Sequence, residues 1–154
     1  MIPVTQTKVV VKTSEGKQVV WGNCFAAVVA SIMELPITEV PNVEVFFDFN
    51  NSYWYEVMHH FLKRKGWELC ADNRYKVFHP ELHNQLKAPD GMDKEDWMVD
   101  LRLSLADNYY LVSGKSPRGV GHITIWKNGK MIHDPHPTRE GIETLEDFQT
   151  LEKI

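Results

Sequence analysis

Asn23-Cys24-Phe25-Ala26-Ala27-Val28-Val29-Ala30-Ser31-Ile32-Met33-Glu34-Leu35 decides the fold. Small and apolar residues occupy nearly every position of this stretch. A helix apolar all round is buried on most faces rather than on one stripe. Asn23 is a favoured N-cap type, and Pro36 marks the stop. Cys24 therefore falls in the first turn of a buried helix. Such a helix needs cover, and the cover is found at the other end of the chain.

There Tyr109-Tyr110-Leu111-Val112-Ser113 reads as a strand, and residues 114–119 as a loop. Gly121-His122-Ile123-Thr124-Ile125-Trp126 reads as a second strand. Lys127-Asn128-Gly129-Lys130 contains Asn-Gly, the strongest short hairpin signal, and Met131-Ile132-His133 is the return strand, ended by Asp134-Pro135. A C-terminal helix is expected around Leu145 to Leu151. Helices early and strands late predict an α+β fold, a buried N-terminal helix carrying the Cys packed on a C-terminal antiparallel sheet.

The rest of the chain is less patterned. Thr7 to Thr13 is β-branched and reads as a strand, followed by a turn at Ser14-Glu15-Gly16-Lys17. Residues 36–51 are irregular, with an apolar-dense run from Val43 to Phe49. Ser52 is a candidate cap for a helix from Tyr53 to Lys65, ended by Gly66. Trp67 to Cys70 reads as a short strand, and residues 72–93 are turn-rich. Trp97, Leu101 and Leu105, spaced by four, favour a helix within residues 92–105. With no repeat and no linker, residues 1–154 are expected to form one domain.

Composition narrows the function. The chain has 43% hydrophobic and 25% charged residues, ordinary for a globular protein. Its 17 basic and 21 acidic residues leave a net charge of −4, against the basic stripe of a nonspecific nucleic-acid binder. The one basic run, Lys63-Arg64-Lys65, suits the C-terminus of a helix. No apolar run reaches the roughly 18–20 residues of a membrane span, and no leader pattern is present, so a cytoplasmic location is expected. In that reducing compartment Cys24 and Cys70 are expected to be free thiols.

A thiol becomes a good nucleophile when a helix N-terminus and an imidazolium stabilise its thiolate. Cys24 has the first condition, and its thiolate is expected well below the free-thiol pKa of about 8.5. His122 is the best candidate for the second, opening a strand after Gly119-Val120-Gly121. A third group should accept the other ring N–H. The hairpin centred between Asn128 and Gly129 puts position 135 opposite His122, so Asp134 lies approximately across the ladder. His133, Asp134 and His136, and His79 with His83, lack the spaced Cys/His pattern of structural zinc sites, and no phosphate loop is present. No metal or cofactor is expected.

Gln18, six residues before Cys24, with the aromatic Phe25 directly after it, and His122 and Asp134 later in the chain, resemble the papain-like cysteine peptidases. The run from Gly121 to Pro135 is most similar to the small bacterial and phage branch of that superfamily, which includes peptidases that cleave double-glycine leaders. The resemblance implies a papain-like fold. It also implies a Cys24-His122-Asp134 triad, and an oxyanion hole from the Gln18 side chain and the Cys24 N–H. Trp21, Asn23, Arg118 and Gly121 are the candidate substrate contacts. The expected function is hydrolysis of an amide, peptide or isopeptide bond through a thioester, with a peptide or protein substrate. The alternatives are a cysteine-dependent acyltransferase or deamidase, and a non-catalytic binding or inhibitory protein on the same scaffold. The latter would present aromatics among Phe46, Phe47, Phe49, Tyr53 and Trp54.

Overall fold

The computed structural model describes residues 1–12, 15–16, 18–20, 22–46 and 51–154. Among the described residues, three α-helices and a five-stranded antiparallel sheet make the fold α+β. Strands β1 (Val11–Lys12) and β2 (Gln18–Val20) pair as a separate small hairpin. Helix α1 spans Cys24–Met33, and helix α2 spans Asn51–Arg64. Strand β3 (Trp67–Ala71) precedes two 3-10 segments, Asn73–Phe78 and Pro80–Gln85, and helix α3 (Lys94–Leu105). Strands β4 (Tyr109–Lys115), β5 (Gly121–Lys127), β6 (Lys130–His133) and β7 (Thr144–Lys153) complete the sheet, whose order is β3-β7-β4-β5-β6. Among the described residues no helix is long and apolar enough to cross a membrane.

Each face of the sheet has its own core. Phe25, Val28 and Val29 of α1 pack on Leu111, Ile123 and Ile125, with Phe61 and Leu62 of α2 alongside. Every residue of α1 from Cys24 to Ser31 is buried, as the all-round apolar pattern requires. Fully burying one such valine or phenylalanine contributes about 1.5–3 kcal/mol. Glu34 ends the helix in the left-handed conformation, two residues before Pro36. On the opposite face Tyr110, Val112 and Phe148 pack with Tyr75 and Leu105 from the 3-10 and α3 layer.

Several local expectations change. The C-terminal segment is strand β7, an interior strand between β3 and β4, not a helix. Leu145 and Phe148, three apart, suggest helical spacing, but a bulge explains it. Gly114 pairs with Leu145 and Ser113 with Asp147, so Glu146 is an extra residue. Leu145 and Phe148 thereby share one face of a strand. Of the expected strand from Thr7 to Thr13, only Val11–Lys12 is paired, and Thr13 lies outside the described residues. Helix α2 begins at Asn51, so Ser52 is inside it rather than capping it. Asn23 precedes α1, but its side chain makes no cap hydrogen bond.

Candidate active site

Asn23 has other partners. Its Oδ1 accepts from the N–H groups of Thr7 (3.0 Å) and Lys8 (2.9 Å), and its Nδ2 donates to Thr7 Oγ1. The side chain thus straps the N-terminal segment to the start of α1. The same segment is held from the other side: Gln6 N–H donates to the carbonyl of Pro135 at 2.8 Å, and His133 Nε2 donates to that of Val4 at 2.7 Å. Arg139 clasps both, through Thr5 Oγ1 and the Asp134 carbonyl. Residues 2–8 therefore run between α1 and the end of β6, and Gln6 is buried between them. Its Nε2 donates to the Lys8 carbonyl at 2.7 Å.

The base and its partner meet as the hairpin predicts, with a refinement. Ile125 pairs with His133 but Trp126 with Met131, so a bulge shifts the register by one residue. Beyond β6 the chain turns at Asp134-Pro135, and Asp134 Oδ1 accepts from His122 Nε2 at 2.5 Å. That oxygen also accepts from His136 N–H at 2.8 Å, and Oδ2 from Gly141 N–H at 2.7 Å. Burial opposes the charge on Asp134, but the hydrogen bonds from His122, His136 and Gly141 overcome it and hold the carboxyl at about 2. An ionised carboxylate only accepts, so Nε2 carries a ring proton and Nδ1 is the nitrogen turned away from Asp134.

Cys24 is the first residue of α1 and lines the same cleft as His122 and Gly121. The N–H of Ile123, next to His122, lies on the side of the sulfur and favours its thiolate. The neighbour that sequence reasoning missed is Glu44, on the 3-10 turn Val43–Phe46. It is only 5% exposed, yet its Oε1 accepts from Cys24 Sγ at 2.9 Å and from Phe25 N–H at 3.0 Å. The side chain that meets the α1 N-terminus is thus that of Glu44. Burial pushes the Cys24 thiol well above its ordinary range, and the charge and hydrogen bond of Glu44 push it the same way. The N–H groups of Ile123 and Phe25 pull downward and are outweighed. The expectation of a depressed thiol pKa is therefore corrected: in this state Cys24 is a protonated thiol.

Glu44→Gln keeps an oxygen for the Phe25 N–H and removes the charge beside the sulfur. The Cys24 pKa is expected to fall, and alkylation by iodoacetamide at neutral pH to accelerate about threefold for each unit of fall, because tenfold more thiolate is partly offset by its lower nucleophilicity. The pH profile of labelling, read by mass spectrometry, checks it. An unchanged profile would mean that Glu44 does not govern the thiol.

The remaining expected residues are placed as follows. Arg118 lines the cleft together with Gln6 and His136. Gln18 pairs with Lys12 through β2, and its side chain lies outside the described part of the structure, as do Trp21, Phe47 and Phe49. Tyr53 is exposed, whereas Trp54 packs edge to face on Phe25 with ring centroids 5.7 Å apart. Cys70 is on β3 at the sheet edge, with its sulfur 3.9 Å from Glu152; both cysteines are free. A lone acid in the apolar run Val43-Glu44-Val45-Phe46 was the signal available for Glu44. No protein-family model, no curated protein and no solved structure matches this chain.

Proposed function

We propose that the chain is a papain-like thiol hydrolase acting on an amide, peptide or isopeptide bond. The observation that carries the proposal is the His122–Asp134 hydrogen bond, 2.5 Å long and buried, in a cleft whose wall also contains the Cys24 thiol at a helix N-terminus. The packing of that helix on β5, the strand of the base, supports the papain-like reading of the α+β fold.

On this reading the thiol proton passes to His122 Nδ1 as the sulfur attacks the substrate carbonyl carbon. The C–N bond then breaks, the leaving amine takes the proton from the imidazolium, and an acyl thioester remains on Cys24. Water, deprotonated by His122, attacks the thioester, releasing the acid and restoring the thiol. Asp134 holds the tautomer and stabilises the imidazolium. The N–H groups of Cys24 and Phe25 are the backbone donors for the oxyanion, once Glu44 gives up the second of them. Gln6 lines the same cleft and its Nε2, which donates to the Lys8 carbonyl, has a second N–H to offer as a side-chain donor; the Gln18 side chain lies outside the described residues. One such donor is worth about 3–4 kcal/mol in comparable sites. Acyl transfer to an amine shares the first half of this sequence.

A peptidyl acyloxymethyl ketone tests the proposal. It is expected to modify Cys24 stoichiometrically and to leave Cys70 unmodified, with no adduct in Cys24→Ala. Equal modification of the two cysteines would reject an activated site. A binding protein on this scaffold would form no adduct.

A further inference from the structure

Glu44 stands where the mechanism above needs the substrate. Its neighbour Val43 is fully buried in the core shared by α1 and α2, which anchors the 3-10 turn. The Glu44 side chain is itself buried, and it pairs with no lysine, arginine or histidine among the described residues. A buried acid without a counter-charge costs stability rather than adding it, so packing does not account for Glu44.

Its two contacts do. Glu44 Oε1 stands 2.9 Å from the Cys24 sulfur and 3.0 Å from the Phe25 nitrogen. Donors to an oxyanion stand about 2.7–3.1 Å from the place the oxyanion takes. An oxygen that touches both the sulfur and this main-chain donor therefore occupies the place of the carbonyl oxygen of an attacked acyl group. The other oxygen, Oε2, accepts no hydrogen bond from the described residues, so only Oε1 holds the group in place. Glu44 also lines both hollows beside Cys24 and His122, of about 330 and 260 Å³. The side chain has room to turn into either while Val43 stays in the core.

We propose that Glu44 is an autoinhibitory plug: in the resting state its carboxyl group fills the oxyanion position, as the carboxyl of a product acid would, and an acyl substrate enters only as the side chain turns aside. The inference rests on Cys24 being the nucleophile, because only then is the Phe25 N–H an oxyanion donor. It separates two kinds of reagent. Iodoacetamide loses iodide from a saturated carbon and needs only the sulfur. An ester needs the sulfur and the oxyanion position together.

The ratio of two rates at Cys24 tests the plug: single-turnover acylation by acetyl-Leu-norleucine p-nitrophenyl ester, read by release of nitrophenolate, divided by alkylation with iodoacetamide. Changes in the thiol itself move both rates and leave the ratio nearly constant. Glu44→Ala vacates the Phe25 N–H, and its ratio is expected to rise about tenfold over the native protein, the equivalent of one hydrogen bond no longer displaced. Glu44→Gln keeps an oxygen for that N–H, and its ratio is expected to rise less. Formate, a free carboxylate small enough for the vacated place, is expected to lower the ratio of Glu44→Ala and to leave the native ratio unchanged, against chloride at equal ionic strength. Should the alanine variant not fold, Glu44→Val, which also lacks an acceptor, is expected to show the same rise. A ratio equal to the native one in these variants, or a rise in Glu44→Ala that formate does not lower, overturns the plug alone. If the ester acylates Cys24 in none of the proteins while iodoacetamide still labels it, the nucleophile reading falls and the plug with it.

Discussion

His122→Gln is expected to slow acylation of Cys24 by between about 10² and 10⁴, the usual worth of a positioned general base. The glutamine amide can still donate to Asp134, so the buried carboxylate keeps a partner and the fold persists. The size of the loss follows from the state of the thiol. Burial and Glu44 hold Cys24 protonated, so little thiolate stands ready and the proton must leave as the substrate arrives. Two bases are close by. Glu44 accepts the thiol hydrogen at 2.9 Å but opposes the thiolate by its charge. His122 offers Nδ1, backed at Nε2 by Asp134. If His122 is the base, His122→Gln slows acylation and Glu44→Gln accelerates alkylation. The reverse pattern, Glu44→Gln slowing and His122→Gln neutral, would make the carboxylate the base and remove the triad. Single-turnover rates with an activated ester on the two variants separate these outcomes.

What the sequence made legible depended on whether a residue's role is written in its neighbours. Helix α1 is apolar at almost every position from Cys24 to Ile32, so its burial and the place of Cys24 were readable locally. The β5–β6 hairpin is announced by Asn128-Gly129, both at positive φ (51° and 75°), and with it the approach of Asp134 to His122. Strand β7 was not legible as a strand, because its bulge sets Leu145 and Phe148 three apart on one face and so breaks the period of two. A bulge depends on what lies across the ladder, here Gly114, more than thirty residues away. Glu44 and Gln6 stayed hidden for a similar reason. Each lies in a segment without regular periodicity, and each reaches the site through tertiary contacts: Glu44 at the α1 N-terminus, Gln6 between Lys8 and Pro135. The expected thiolate failed on the same point, since the side chain that meets the α1 N-terminus is that of Glu44.

Asp134→Ala is expected to lower stability by about 3–5 kcal/mol, the cost of removing one partner from a buried charged pair. For a domain of this size that is a fall in Tm of roughly 10 °C or more. Asp134 offers two oxygens to three N–H donors, from His122, His136 and Gly141. Asparagine offers one oxygen and turns an NH2 toward at least one of those donors, so Asp134→Asn is also expected to lose about 1–3 kcal/mol. The carboxyl is about 2 in the fold against 3.8 ordinarily. The folded pKa is the lower one, so this contribution, up to about 2 kcal/mol, is present above pH 4 and disappears as pH falls through 2. His79 adds a separate slope. Burial holds its imidazole, bonded to the Tyr110 hydroxyl at 2.9 Å, below 6.5, so protonation opposes folding and stability declines as pH drops beneath that value. Urea unfolding at several pH values resolves the two. In Asp134→Asn the decline below pH 6.5 is expected to remain, while the steeper acid loss between pH 4 and 2 is expected to flatten. An acid limb unchanged in the variant would place the carboxylate that anchors the fold elsewhere, and with it the group that orients His122.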